Sequence, residues 1–262
     1  MRNLKITLAY DGADFSGWQV QPDRPTVQGH LAEALARITG ERVLPQGSGR
    51  TDAGVHALAQ VASCRLASPI PPANLMTALN DVLPAAIRIT GLELAGEDFH
   101  ARAAARGKTY RYRLYRGAVC PPFLARYVAH HPWPLDEAAM SAAAPRVEGE
   151  HDFTSFAAVD PDRAARLALA AEGGAAGNVR TIFSSRFARA GEELLYTVRG
   201  SGFLPHMVRN LVGTFLLVGK GTLRPDDLPV ILAARQRSAN PGATAPAGGL
   251  YLVEVEYLEA VS

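Results

Sequence analysis

The sequence predicts an α+β protein, and two kinds of pattern carry this prediction. Short segments of alternating apolar and polar residues, typical of half-buried strands, are separated by segments with apolar residues at helical spacing. Glycine or proline stands at many of the junctions, where a strand or helix is expected to end. With 262 residues, 48% hydrophobic and 20% charged, the chain has an ordinary globular composition and enough length for one or two cores.

The first hundred residues predict the element order β-α-β-β-α-β. Predicted strands lie at 4–10, near 42–44, at 60–66 and at 87–92, and predicted helices run from Val27 to a stop at Gly40 and from Pro71-Pro72 to Pro84. This order is that of the split βαβ, or ferredoxin-like, fold.

The second half predicts the similar order β-α-β-β-α-α-β. Its predicted strands are 109–115, 180–187, 194–200 and 250–257, and its predicted helices are 136–144, 205–218 and 226–235. Residues 157–177 are rich in alanine and glycine without a clean period, and they predict a mobile loop insertion. We therefore expect two ferredoxin-like halves, with domains at residues 1–103 and 104–262.

Several classes of protein are disfavoured by the composition. A run of about 18 apolar residues is absent from the sequence, and the N-terminus enters an alternating pattern without a signal-peptide core. We expect a cytoplasmic protein without a membrane partner. The two cysteines, Cys64 and Cys120, have no metal-like or redox-like spacing, so we expect neither structural zinc nor a disulfide framework.

The distribution of charge is more informative than the net charge of +2. Between Phe99 and Leu135 the chain has no acidic residue but seven basic ones: Arg102, Arg106, Lys108, Arg111, Arg113, Arg116 and Arg126. Such a stretch is typical of a surface for a polyanion. The chain has 24 arginines and 3 lysines, and arginine suits phosphate and base recognition, although a GC-rich genome produces the same bias.

A glycine-rich segment from Gly47 to Ala57 carries a single carboxylate, Asp52. Glycines allow unusual backbone conformations and the close approach of another molecule, and Arg50 favours the ionised form of this acid. The segment matches neither common phosphate-loop pattern. Asp52 is thus a candidate nucleophile or base. The same residues also fit a surface turn with an incidental salt bridge.

The stretch Gly-Arg-Thr-Asp-Ala-Gly-Val-His-Ala, residues 49–57, resembles the signature of the TruA family of tRNA pseudouridine synthases. Further family-like segments are spread through the chain: 17–19, 99–102, 110–112, 153–156, 206–213 and 249–253. The resemblance implies a pseudouridine synthase fold, with two ferredoxin-like (RRM-like) halves and antiparallel sheets around a central active-site cleft. It also implies isomerisation of uridine in the tRNA anticodon stem-loop, at tRNA positions 38, 39 and 40, by a homodimer without metal or cofactor.

The resemblance assigns roles to four residues. Asp52 would be the nucleophile that stabilises positive charge at the sugar C1′ or forms an ester there, as a glycosidase nucleophile does. Tyr110 would stack on the flipped uracil. Arg50 would hold the loop or bind a phosphate of the target, and Arg209 would pair with Asp52. The residues alone leave two alternatives open. Tyr110 and Tyr112 share one face of the predicted strand, where alternating tyrosines are often core, and we interpret Tyr112 as such a core residue. Arg209 could pair with an acid other than Asp52.

The residues also leave open the role of one aromatic loop and the class of protein. The aromatic loop at residues 15–19, which includes Trp18, suits either an RNA contact or the plugging of a core edge. Besides the synthase, the chain fits a non-catalytic RNA-binding module or a cofactor-free glycosyl-bond enzyme acting on nucleosides or sugar phosphates. Asp52 disfavours the module, because an anion in a phosphate-binding groove weakens binding. The long acid-free stretch disfavours a small ligand.

Overall fold

The computed structural model describes residues 1–158 and 177–258, which form two compact units. The first unit holds Met1–Lys108 and the described residues from Leu250 onward. The second holds the described residues of Thr109–Gly249. Most of the stretch predicted as a loop insertion, 159–176, lies outside the described residues.

The first unit has the predicted order β-α-β-β-α-β. Its elements are β1 (Arg2–Tyr10), α1 (Val27–Thr39), β2 (Gln46–Gly47), β3 (His56–Leu66), α2 (Pro72–Val82) and β4 (Ile87–Ala95). The prediction of a strand near 42–44 was wrong, because pairing with β3 begins at Gln46. Pro45, just before it, has no N–H to donate to a ladder.

The strands of this unit lie in the order β4-β1-β3-β10, with β2 also on β3. β1 is antiparallel to both of its neighbours, and its residues Leu4, Ile6 and Leu8 are fully buried. This alternation is the signal that predicted the strand. Helix α1 ends as predicted at Gly40, which takes a left-handed conformation with φ 74°.

The second unit contains β5 to β9 and α3 to α5. Its elements are β5 (Ala105–Tyr115, which crosses the boundary at Lys108), β6 (Ala129–His130), α3 (Glu137–Ala143), β7 (Gly149–Asp152), β8 (Val179–Ala190), β9 (Glu193–Gly200), α4 (Met207–Gly219) and α5 (Asp227–Ala234). The strands lie in the order β5-β9-β8-β7, with β6 beside β5. The short strands β6 and β7 were not predicted.

The last strand, β10 (Leu250–Tyr257), belongs to the first unit. The expected division into 1–103 and 104–262 placed it in the second domain, and this placement is corrected. β10 pairs in parallel with β3, with Tyr251 opposite His56, and Tyr257 donates a hydrogen bond to the carbonyl of Ala101 at 2.7 Å. Such non-local pairing is invisible in a local sequence pattern.

The observed architecture is a mixed α+β fold with a multi-stranded sheet, as the element pattern predicted. Across residues 1–158 and 177–258, each helix is too short or too polar to cross a bilayer.

Candidate active site

Asp52 lies in the loop between β2 and β3, and this loop is docked on the segment 15–18. The N–H of Trp18 donates to the Thr51 carbonyl at 3.1 Å, and the N–H of Gly54 donates to the Phe15 carbonyl at 3.3 Å. Within the loop, Val55 donates to the Asp52 carbonyl at 3.1 Å. The backbone on both sides of the carboxylate is thus held by hydrogen bonds.

The aromatic loop at residues 15–19 packs against the Asp52 loop. Trp18 is 1% exposed and lies against Gly47, where a Cβ would come within 2.6 Å of its indole. Phe15 is 8% exposed. The structure therefore places both aromatic side chains in the core of the first unit, as the plugging interpretation of this loop expects.

Buried polar groups surround the start of the loop. The Tyr10 hydroxyl lies 2.8 Å from Thr51 Oγ1. Gln60 Nε2 donates to the Gly49 carbonyl at 3.0 Å, while Gln60 Oε1 accepts from Ser48 Oγ at 2.7 Å. Burial raises the pKa of Tyr10 to about 12, so its hydroxyl stays protonated.

His56 at the end of the loop is buried and held by several contacts. It is 2% exposed, and its Nδ1 accepts the N–H of Gly12 at 3.0 Å and lies 3.2 Å from Asp11 Oδ1. Its ring stacks on Tyr251 with centroids 4.7 Å apart. These contacts join the loop to the start of the chain and to β10.

A cation faces the backbone just before Asp52. Lys108 Nζ donates to the Ser48 carbonyl at 2.6 Å, and a Cβ on Gly49 would come within 2.8 Å of the same nitrogen. Arg50 is exposed and Asp52 is half-buried. Asp52 thus keeps partial access to solvent in a loop whose backbone at Ser48 and Gly49 is bonded to Lys108 and Gln60.

Tyr110 and Tyr112 share the buried face of β5, as the alternation predicted. Tyr110 is 8% exposed and packs edge-on against Phe203, with ring centroids 5.0 Å apart. Tyr112 is fully buried and donates its hydroxyl hydrogen to the Pro246 carbonyl at 2.7 Å. Tyr112 is thereby confirmed as a core residue.

Arg209 lies in α4, on a face that binds the segment 240–246. Its Nε donates to the Ala245 carbonyl at 2.7 Å. On the same face a Cβ at Gly213 would come within 1.8 Å of the Ala243 carbonyl oxygen. The helix was predicted from Pro205, but it begins at Met207, because His206 has a left-handed backbone with φ 58°.

In the acid-free stretch, Arg113 and Arg116 are bonded to acids elsewhere in the second unit. Arg113 makes two bonds to Glu193, at 2.7 and 2.6 Å. Arg116 Nε lies 3.1 Å from Glu137. The predicted polyanion-binding stretch therefore does not extend to Arg113 and Arg116, which are engaged within the protein. Arg102, Arg106 and Arg126 have exposed side chains, as a binding surface requires.

The sequence reasoning missed the polar shell of the Asp52 loop. Tyr10 and Gln60 were interpreted only as strand residues, and Lys108 only as one basic residue among seven. An amide at the start of the predicted strand 60–66, which is otherwise mostly apolar, was the available signal for Gln60, since buried amides need several hydrogen-bond partners. In the part of the chain that the structure describes, groups of three or more His, Cys, Asp or Glu side chains suited to a metal ion are absent.

Comparison with known proteins identifies the family. The family model described as tRNA pseudouridine synthase matches residues 6–102 and 143–258, which is more than half of the chain. The chain therefore belongs to the tRNA pseudouridine synthase family.

The curated relatives agree with this assignment. A protein of Solibacter usitatus named tRNA pseudouridine synthase A is 53% identical over 258 residues, covering 98% of this chain and 100% of the relative. Proteins of the same name from Moorella thermoacetica and Brevibacillus brevis are 46% and 45% identical, covering 97% and 98% of this chain and 99% and 100% of the relatives.

Proposed function

We propose that Asp52 is the nucleophile with which this tRNA pseudouridine synthase isomerises uridine to pseudouridine, and that its targets lie in the anticodon stem-loop, at tRNA positions 38, 39 and 40. The observation that carries the proposal is the Asp52 loop itself. Its carboxylate is half-buried, and its backbone is held at Thr51, Asp52 and Gly54 by the hydrogen bonds described above. A carboxylate in a held loop meets the geometric need of a nucleophile.

The reaction breaks one bond and makes another without net change in composition. The C1′–N1 bond breaks, and the Asp52 carboxylate stabilises the positive charge at C1′ or forms an ester with it. The released uracil rotates, C5 bonds to C1′, the C5 proton leaves and N1 gains a proton. A route that begins with proton loss at C2′ is the alternative chemistry for the same residue.

Tyr110 and Arg209 belong to the second unit, and we propose that both assist Asp52. Tyr110 would stack on the extruded uracil, which has lost the stacking of its neighbouring bases in the RNA. Phe203 packs edge-on against the ring of Tyr110 and holds it in place. Arg209 would pair with the Asp52 carboxylate. Its Nε bond to the Ala245 carbonyl at 2.7 Å restricts the plane of the guanidinium.

Arg50 is proposed to bind a phosphate next to the target, because it is exposed two residues before Asp52. The family resemblance further supports a cytoplasmic homodimer with tRNA as its partner. We also propose two ferredoxin-like halves. For the first, the order β-α-β-β-α-β and the antiparallel pairing of β3 with both β1 and β2 support this architecture.

The deciding experiment compares wild type, Asp52→Asn and Asp81→Asn on unmodified tRNA transcripts. Pseudouridine is mapped by carbodiimide modification and primer extension. Asp81 is an exposed acid of α2 and serves as the matched control. We expect stops in the anticodon arm for wild type and Asp81→Asn, and none for Asp52→Asn.

Other outcomes refute specific parts of the proposal. Stops with Asp52→Asn would remove Asp52 as the nucleophile, and stops outside the anticodon arm would refute the proposed target region. If all three proteins bind tRNA and none modifies it, the non-catalytic RNA-binding module takes the place of the enzyme.

A further inference from the structure

Two buried polar side chains, Tyr10 and Gln60, bond to the Asp52 loop, a third, Thr51, belongs to it, and the proposed chemistry uses none of them. Tyr10, Thr51 and Gln60 are 5%, 6% and 0% exposed. All three belong to the first unit, and Thr51 is the residue immediately before Asp52. Buried polar groups of this kind must find hydrogen-bond partners, so their bonds restrict the backbone around them.

The orientation of the Gln60 amide is dictated by its neighbours. Its Oε1 accepts from the backbone N–H of Val61 at 3.2 Å and from Ser48 Oγ at 2.7 Å. Its Nε2 donates to the Gly49 carbonyl at 3.0 Å. A reversed amide would set oxygen against the Gly49 oxygen and NH₂ against the Val61 N–H. Gln60 therefore ties β3 to the residues that lead into the loop.

Tyr10 extends the same network to the residue next to Asp52. Its hydroxyl lies 2.8 Å from Thr51 Oγ1 and 3.5 Å from Gln60 Nε2. Because burial keeps this hydroxyl protonated, it remains a neutral hydrogen-bond group over the working pH range. The loop is consequently tied at Gly49 and at Thr51 to one connected set of side chains.

We propose that Gln60 and Tyr10 are positioning residues that hold the Asp52 carboxylate at the place where it meets C1′. This inference rests on the proposed role of Asp52 as the nucleophile. The glycines of the loop leave its backbone soft, so the polar network has to supply the rigidity that a nucleophile requires. A displacement of about 1 Å at a reacting group lowers turnover by about a hundredfold.

The first test compares Tyr10→Phe with Tyr196→Phe. Each change deletes a buried tyrosine hydroxyl that bonds to a hydroxyl side chain, since Tyr196 Oη lies 2.9 Å from Ser185 Oγ in the second unit. Turnover is measured as tritium release from tRNA labelled at uridine C5, because the C5–H bond is replaced by C5–C1′. We expect kcat to fall by about tenfold or more for Tyr10→Phe, with KM within about twofold of wild type.

The control variant Tyr196→Phe should lose comparable thermal stability and keep its kcat. If the two variants have the same kcat as wild type, or if Tyr10→Phe changes only KM, the positioning role is refuted.

The second test measures the pH dependence of kcat, which a change in packing alone would not alter. Gln60→Glu keeps the acceptor for Val61 but sets a carboxylate oxygen against the Gly49 carbonyl, and only the protonated acid can donate there. Its kcat relative to wild type should therefore be low at about pH 8 and recover toward about pH 6.

Gln28→Glu is the matched control for this test. Gln28 is 2% exposed and likewise bridges a carbonyl and an N–H, those of Pro45 and Val20. It should show no pH-dependent recovery. If the kcat of Gln60→Glu relative to wild type does not change with pH, the proposal is overturned. If that variant does not fold, the comparison of Tyr10→Phe with Tyr196→Phe decides whether the proposal holds.

The Asp52 and Tyr10 variants together separate the positioning role from the role of the nucleophile. An inactive Asp52→Asn together with a fully active Tyr10→Phe refutes the positioning role alone. An active Asp52→Asn refutes the nucleophile, whatever the network variants do.

Discussion

A Cβ on Gly17 would come within 2.6 Å of the carbonyl oxygen of Thr51. Gly17 also has a φ of +91°, which side chains rarely adopt. The segment that carries Trp18 therefore reaches the Asp52 loop only because residue 17 has no side chain. The contact links a glycine of the first loop to the residue beside the proposed nucleophile.

This relationship predicts the effect of Gly17→Ala. The backbone conformation and the contact together should lower the free energy of unfolding by about 3 kcal/mol or more, and displacement of Thr51 should lower kcat. Gly40→Ala is the control, because Gly40 has a φ of +74° but open space where a Cβ would lie. It should lose about 1 kcal/mol with unchanged kcat. Equal losses in urea unfolding for both variants would contradict the explanation.

Gly213→Ala should disrupt the face of α4 that holds Arg209. Its Cβ would come within 1.8 Å of the Ala243 carbonyl oxygen, a backbone atom that moves only with its segment. We expect loss of about 3 kcal/mol of stability and a marked fall in kcat, measured by denaturant unfolding and tritium release. Gly219→Ala is the comparison, because the atoms that its Cβ would approach belong to the flexible side chains of Met140 and Leu135. A similar loss for both would count against this prediction.

The basic stretch should contribute unequally to tRNA binding. Arg106 is exposed, whereas Arg113 is bonded twice to Glu193. Arg106→Ala should weaken binding and reduce the slope of log Kd against log salt concentration by about 1, because one fewer counterion is displaced. Arg113→Gln should leave that slope unchanged while lowering thermal stability. The reverse pattern in a salt titration would refute this division.

The two cysteines should differ in reactivity. Cys64 is 8% exposed, and burial raises the pKa of its thiol to about 12, while Cys120 is partly exposed. Since only the thiolate reacts, iodoacetamide at about pH 8.5 should label Cys120 first. Mass spectrometry of the folded protein checks this, and preferential labelling of Cys64 would contradict it.

The raised pKa of the Cys64 thiol also affects the stability of the protein at alkaline pH. The raised pKa keeps the folded thiol protonated, whereas the unfolded thiol ionises. The unfolding free energy should therefore fall as pH rises above about 8.5 toward the folded value, and Cys64→Ala should reduce this slope.

Local patterns predicted most elements because their physical causes are local. Alternation marks β1, Gly40 ends α1, and the pair Pro71-Pro72 begins α2, as the structure confirms. The identities of Asp52, Arg50, Tyr110 and Arg209 as candidates were also available from the sequence, through the family signature. Their roles in the reaction remain predictions that the experiments above address.

The sequence by itself determined the fold class, the order of elements in the first unit and the family, because periodicity and signature residues are properties of neighbouring positions. Only the tertiary structure decided that β10 joins β3, that Arg113 is bonded to Glu193, and that Tyr10 and Gln60 hold the Asp52 loop. These bonds join residues far apart in the chain. Their geometry depends on how the strands pair, which no local pattern of residues records.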